Sequence, residues 1–243
     1  MSYFIKKIVC LANSRKVTGR CIAGKEIENK SIGSWIRPVS SRPDEEISEE
    51  DSRYENGQMP KLLDIIEIPL KEYKPTSFQK ENYLIHESYY WERKGSFDPV
   101  QLPGLCDHPK KLWGGKLIKD TNFSSYQGLN DRIPKSLIDQ VKASLYLISP
   151  TKLDILVRRE GAEFGDEKRK VRAEFTYNDI RYILPVTDPV VERKYLANTD
   201  GNYAINKPFN KIFMCVSLGL PYKDDFCYKF SASFIGLLEY QSK

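Results

Sequence analysis

The feature that most constrains this 243-residue chain is a strict two-residue alternation that turns back on itself. From Arg169 to Tyr177, Val171, Ala173, Phe175 and Tyr177 share one face, while Lys170, Arg172, Glu174 and Thr176 share the other. That is the period of a half-buried strand. Asn178-Asp179 follows, two residues that tolerate positive φ, so a tight hairpin into Arg181 to Val186 is expected. The pattern recurs in Leu153, Ile155 and Val157 against Asp154 and Arg158. It recurs again near the end, with Phe226, Tyr228, Phe230, Ala232 and Phe234 set against Cys227, Lys229, Ser231 and Ser233. Ile212 to Leu218 is apolar on both faces and reads as a covered strand.

The first half carries the same signal in shorter pieces. Ile5 to Leu11, Arg20 to Gly24, Ser34 to Val39, Leu62 to Leu70 and Tyr83 to Glu87 read as strands, with a polar turn over Ala12 to Gly19. On the third of these runs the period puts Trp35, Arg37 and Val39 on one face and Ile36 on the other, and Pro38 marks an end or an edge. Residues 44 to 51 hold six acids in eight positions and suit a solvated loop or helix end. Between Glu72 and Arg132 repeated Pro and Gly, Gly128 among them, break the chain into loops and short helices. Helices are expected from Pro134 to Ala143 and, opened by the cap pair Asp188-Pro189, through Ala197. Fifteen Tyr, 11 Phe, 14 Gly and 14 Pro agree with a mainly β chain of many corners. Two small β-barrels with a few short helices fit better than one sandwich. Their boundary is expected within 128 to 144, giving residues 1–130 and 131–243, with a possible return of the last strands to the first half.

Several function classes are disfavoured. No apolar run approaches the ~20 residues of a membrane helix, and the first residues lack a secretory pattern, so a cytoplasmic protein is expected. Cys10, Cys21, Cys106, Cys215 and Cys227 are odd in number and widely spaced, which suits reduced thiols. With only His86 and His108, and Cys106-Asp107-His108 as the nearest ligand pair, neither a zinc set nor a histidine triad is indicated. Gly19, Gly24 and Gly33 lack phosphate-loop spacing, and no cofactor is implied. Asp188 is explained by a helix cap. An enzyme acting on nucleotides or nucleic acid through Asp188, Glu174 or Cys21 is kept as an alternative to a binding protein.

The charge is mildly basic, 38 Lys+Arg against 33 Asp+Glu for a net +5, and it is concentrated. Residues 1 to 30 hold Lys6, Lys7, Arg15, Lys16, Arg20, Lys25 and Lys30 against Glu26 and Glu28. With Trp35 and Arg37 on the next strand, Arg15, Lys16, Arg20 and Lys25 form the first candidate surface for single-stranded DNA or RNA, or a nucleotide. Phosphates take the cations and bases stack on the ring. The competing reading makes Trp35 core and the cations solubilising. A second basic group, Arg158, Arg159, Arg169, Lys170 and Arg172, meets across a hairpin. Interleaved Glu160, Glu163, Asp166, Glu167 and Glu174 favour self-neutralising cross-strand pairs there.

The strings Ile8-Val9-Cys10-Leu11-Ala12-Asn13-Ser14-Arg15-Lys16, Gly19-Arg20-Cys21-Ile22-Ala23-Gly24-Lys25, Trp35-Ile36-Arg37-Pro38-Val39-Ser40, Val171-Arg172-Ala173-Glu174-Phe175, Thr187-Asp188-Pro189 and Val216-Ser217-Leu218-Gly219 together resemble the dual OB-fold domain family of bacteria. The resemblance spans nearly the whole chain. It implies two five-stranded OB-type barrels in tandem and a nucleic-acid-binding role, imagined in prokaryotic defence or conflict systems. It carries no catalytic residues over to this sequence. A sensing or assembly module for a modified nucleotide or a protein partner is the further alternative.

Overall fold

The structure is a computed structural model that describes residues 3–29, 31–114, 131–162, 165–206 and 211–237. Lys30, Gly128, Glu163 and the first side of the expected 130/131 boundary lie outside these residues. The chain forms two compact units, Met1–Leu105 and Cys106–Lys243.

In the first unit the strands are β1 (Phe4–Lys16), β2 (Gly19–Glu28) and β3 (Ser31–Val39), followed by the short helix α1 (Glu49–Ser52). Then come β4 (Asp64–Tyr73), β5 (Asn82–Ile85) and β6 (Glu92–Ser96). The sheet order is β1-β2-β3-β5-β4-β6, and β1 also pairs with β4, so the sheet curls and closes on itself. β3 and β5 pair in parallel, with Pro38 opposite Tyr83. Pro38 therefore lies inside a paired strand, one residue from its end. The closure encloses Ile8, Cys10, Ile22, Ile36, Ile47, Ile66, Ile68, Leu70, Ile85 and Trp91. A bulge between Cys10 and Ala12 bends β1 sharply. Opposite it only a glycine fits, because a Cβ on Gly24 would stand 1.9 Å from the Val9 carbonyl oxygen.

One expectation is corrected here. The polar stretch from Ala12 continues β1 to Lys16, and the turn shrinks to Val17-Thr18. Its polar side chains are absorbed locally, Asn13 Nδ2 donating to the Pro60 carbonyl at 2.8 Å and Ser14 Oγ to the Cys21 carbonyl at 3.4 Å. The acidic run is likewise partly ordered: Ser48 caps α1, its hydroxyl accepting from Asp51 N while the Asp51 carboxylate accepts from Ser48 N.

The second unit starts with β7 (Arg132–Pro134), a 3₁₀ segment over Lys135–Gln140 and β8 (Leu145–Ile148). It continues with β9 (Lys152–Glu160), β10 (Lys168–Tyr177), β11 (Ile180–Pro185) and helix α2 (Pro189–Leu196), then β12 (Gly201–Ala204), β13 (Phe213–Pro221) and β14 (Phe226–Ile235). Its sheets run β11-β10-β9-β12 and β7-β14-β13-β8. Asn178 and Asp179, at φ of 48° and 62°, make the tight turn the sequence calls for. The helix expected over Pro134 to Ala143 is only the 3₁₀ segment Lys135–Gln140, and Pro134, which precedes it, makes no side-chain cap hydrogen bond. The paired strands β13 and β14 join β7 and β8 in this second unit.

The two units share one plan. Each has a three-strand meander (β1-β2-β3, β9-β10-β11), a helix, and a closing hairpin (β4-β5, β13-β14). In each, the third strand or its extension meets the second strand of the closing hairpin in parallel, by β3 on β5 and by the Val186 to Ser231 bridge. Among the described residues no helix is long and apolar enough to cross a membrane.

Candidate nucleic-acid interface

The first cation group splits into two. The β1–β2 register pairs Asn13 with Ile22, Ser14 with Cys21, Arg15 with Arg20 and Lys16 with Gly19. Ile22 belongs to the core, so by the alternation of the strands Arg15 and Arg20 lie at the rim of the core-facing side, directly opposite each other. Arg15 is exposed, and an Arg20 guanidinium nitrogen lies 4.0 Å from Glu49. The turn between them is strained: Val17, a β-branched residue, is 63% exposed at a φ of 49°.

Lys25 and Trp35 are register partners on the other side of the sheet, and the Lys25 ammonium stands 5.6 Å from the indole centroid. Trp35 is half-buried, while Lys25 and Arg37 are buried. Arg37 pairs with Glu81 at 2.9 Å and donates to Asn82 Oδ1 at 3.4 Å, which makes it an interior ion-pair member. The six residues therefore do not line one trough.

The second group does meet across a hairpin, with Arg169 opposite Arg159 and Lys170 opposite Arg158. Acids occupy most of it. Arg158 binds Glu160 at 2.7 Å, and Arg159 approaches Glu167 at 3.4 Å and Asp200 at 3.8 Å. Arg169 binds Asp200 at 2.7 Å and the Leu196 carbonyl at 2.9 Å. Arg172, buried, binds Glu160 through two nitrogens at 2.7 and 2.9 Å and Asp131 at 2.8 Å. Burial works against the Glu160 charge, yet Arg172 and Arg158 hold its carboxyl below the ordinary range. Lys170 is exposed and makes no ion pair among the described residues.

The sequence reading missed an aromatic group at the opposite end of β1. Tyr73 and Tyr83 face each other across the β4–β5 hairpin with ring centroids 5.0 Å apart, Phe4 meets Tyr83 edge-on, and the Lys6 ammonium lies over the Tyr83 ring. Tyr73 is 51% exposed. Period two alone could not find them, because a bulge between Leu70 and Glu72 resets the pairing of Tyr73. The inward face of β14 was equally illegible. Cys227, Lys229 and Ser231 are the buried side, and the partly exposed rings of Phe226, Tyr228 and Phe230 are the outer one. The Lys229 ammonium lies 5.8 Å from the Trp113 indole, which accommodates the buried charge.

Asp188 and Glu174 have structural roles, and Cys21 is half-buried on β2 opposite Ser14. Asp188 caps α2 by accepting from Val190 N and Val191 N, and its second oxygen accepts from Phe234 N. Glu174 is bound to Arg181 at 2.6 Å. Burial pushes the Cys227 thiol up to about 11 and the Cys10 thiol higher, which suppresses both thiolates. No group of three or more His, Cys, Asp or Glu with metal-site geometry occurs among the described residues.

Two curled sheet units, each a meander, a helix and a closing hairpin, define a tandem OB-type protein, a class whose barrels bind oligonucleotides or oligosaccharides. The chain belongs to the dual OB-containing domain family, whose model matches residues 6–234. No curated protein matches it. A solved structure described as the tetrameric p202 HIN2 is similar over 96% of this chain and 94% of its own, at 8% identity and a TM-score of 0.31.

Proposed function

We propose that this protein binds a single strand of nucleic acid, DNA or RNA, without performing chemistry on it, and that the first barrel makes the main contacts. The observation that carries this reading is the register of Arg15 opposite Arg20 beside Lys16, at a strained turn with an exposed apolar tip. Cations gathered at a strand-joining turn offer a polyphosphate several contacts at once. Backbone strain of this kind often accompanies binding loops.

Two further observations support it. OB barrels bind through the face of their second and third strands and through the loops joining strands one to two and four to five. In the first unit these places hold the Val17-Thr18 turn, the half-buried Trp35 and the Tyr73–Tyr83 pair. Arg15, Lys16 and Arg20 take phosphates at the turn, and Trp35, on the other side of the sheet, and Tyr73, at the far end of β1, offer ring faces to bases elsewhere along the strand. Lys25 and Arg37 hold the indole side of the sheet in place. In the second barrel Lys170 adds a weak contact, while Arg158, Arg159, Arg169 and Arg172 are held by acids.

Fluorescence anisotropy with labelled single strands over a salt series tests the proposal. Binding should weaken steeply with salt, and the Arg15→Ala, Arg20→Ala double variant should flatten the log–log slope by about two units. Salt-independent binding, or none at low salt, overturns it.

A further inference from the structure

The second barrel carries a feature apart from its basic hairpin, a row of rings on the outer side of β14. Alternation sets Phe226, Tyr228 and Phe230 on that side, about 7 Å from one to the next and each partly exposed. β14 is flanked by β13 on one edge and by β7 on the other.

Both neighbours leave the rings accessible. On β13 the residues of this side are small, Ser217, which is opposite Phe230, and Gly219. A Cβ on Gly219 would stand 3.1 Å from Phe230 Cε2. The ring therefore lies across the glycine, in the space a side chain there would fill, and turns its other face outward. On β7 Arg132 stands opposite Tyr228 and sets its guanidinium 4.0 Å from the Phe226 ring centroid. The β13–β14 turn adds Tyr222, 62% exposed, which meets Tyr228 edge-on.

Most charges near the rings are answered within the hairpin and its edge strand. Asp224 accepts from the Tyr228 hydroxyl and from Phe226 N at 3.3 Å, with Arg132 3.7 Å away, and Asp225 lies 3.4 Å from Lys135. Lys223, exposed at the turn, makes no ion pair among the described residues, so the charge left over is positive. A ligand for this face must stack flat, ask for few polar partners and tolerate a cation at one end. Ser217 and Gly219 give a sugar little to hold its hydroxyls, whereas a base stacks on a bare ring.

We infer that the outer face of β14 stacks the bases of a single strand of nucleic acid on Phe226, Tyr228 and Phe230, without reading their identity. The inference rests on the strand-binding reading and deepens it, giving the second barrel a role that its neutralised arginines do not supply. Every base has a face to stack, so the row tolerates any sequence. Salt dependence arises where cations displace counterions from phosphates, so affinity gained on these rings persists as salt rises.

That difference makes the test. In anisotropy titrations of the full chain over a salt series, Phe230→Ala should weaken binding by about five- to a hundredfold, by the same factor at every salt, with the log–log slope unchanged. Phe230→Leu keeps apolar bulk without a ring and should lose nearly as much, while Phe230→Trp should bind at least as tightly as the parent. Urea midpoints check that the variants fold. Strands carrying 5-iodouracil should photocrosslink to the Phe226–Phe230 segment. Strand binding that is indifferent to Phe230 and crosslinks elsewhere would sink the β14 face alone. Crosslinks at this segment without any dependence on Arg15 and Arg20 would keep the face and sink the first-barrel reading, and no strand binding at all would sink both. Protection of this segment from hydrogen exchange by maltohexaose, with none by oligonucleotides, would overturn it in favour of a sugar.

Discussion

Two hairpins of this molecule place arginine directly opposite arginine, Arg15 with Arg20 in the first barrel and Arg159 with Arg169 in the second. In the second, Asp200 stands beside both, 2.7 Å from Arg169 and 3.8 Å from Arg159, and Glu167 adds a contact to Arg159. In the first, Arg20 has Glu49 at 4.0 Å, at the limit of an ion pair. The local patterns are alike, and what marks the second hairpin is an acid distant in sequence, Asp200, set against both of its arginines. Positive residues near one another are thus a poor guide to a polyanion site until their counter-charges are located.

The largest effect that would sharpen this contrast lies in the second barrel's interior. Arg172→Ala leaves Glu160 and Asp131 without their shared cation, and unfolding by urea should show a loss of about 3–5 kcal/mol. Oligonucleotide affinity per folded molecule should hardly change. A large loss of affinity would mean that the second patch binds after all.

The same network fixes an acid response. Arg172 and Arg158 outweigh burial and hold Glu160 below its ordinary 4.5, and Lys7 and Lys94 do the same for Glu67 in the first barrel. In both cases the folded carboxyl gives up its proton more readily than the unfolded one. The stability they add is complete above the unfolded value and drains away as pH falls through the folded one. Urea midpoints compared at pH 7 and near pH 3 should show it, with the Glu160 share reduced in Arg172→Ala, where Arg158 alone still pairs with it.

Next in size are the binding effects. Trp35→Ala should cost about 1–3 kcal/mol in strand affinity, measured by anisotropy, if the indole accepts a base. Asp200→Asn tests the comparison from the other side. It partly releases Arg159 and Arg169, so the salt slope should steepen by up to about two units with little change in stability. An unaltered slope would show that counter-charge is not what distinguishes the two hairpins. The smallest change is Val17→Gly, which relieves a left-handed β-branched residue and should stabilise by about 1 kcal/mol in thermal unfolding, leaving the salt slope unchanged.

Much of the fold was readable from residue order. Alternation located β9, β10 and β14, a run apolar on both faces located β13, the Asn178-Asp179 pair located the β10–β11 turn, and Asp188-Pro189 located α2. Those signals are local, since they depend on neighbouring side chains and on the φ each residue tolerates. The likeness to the dual OB family was legible for the same reason, as short strings along strands and at the cap of α2.

The binding surface was only partly readable. The sequence by itself determined that residues 1 to 30 are rich in cations, that Trp35 and Arg37 share a face, and that the second basic group is interleaved with acids. Tertiary structure decided that Arg37 turns to Glu81 and Lys25 to Trp35, that Asp200 reaches Arg169, and that Lys229 faces inward under Trp113. It also laid the Phe230 ring across Gly219 on the neighbouring strand. The physical reason is range. Strand period and turn chemistry act over a few residues, whereas the burial and pairing of a charge depend on groups that only barrel closure brings within about 4 Å.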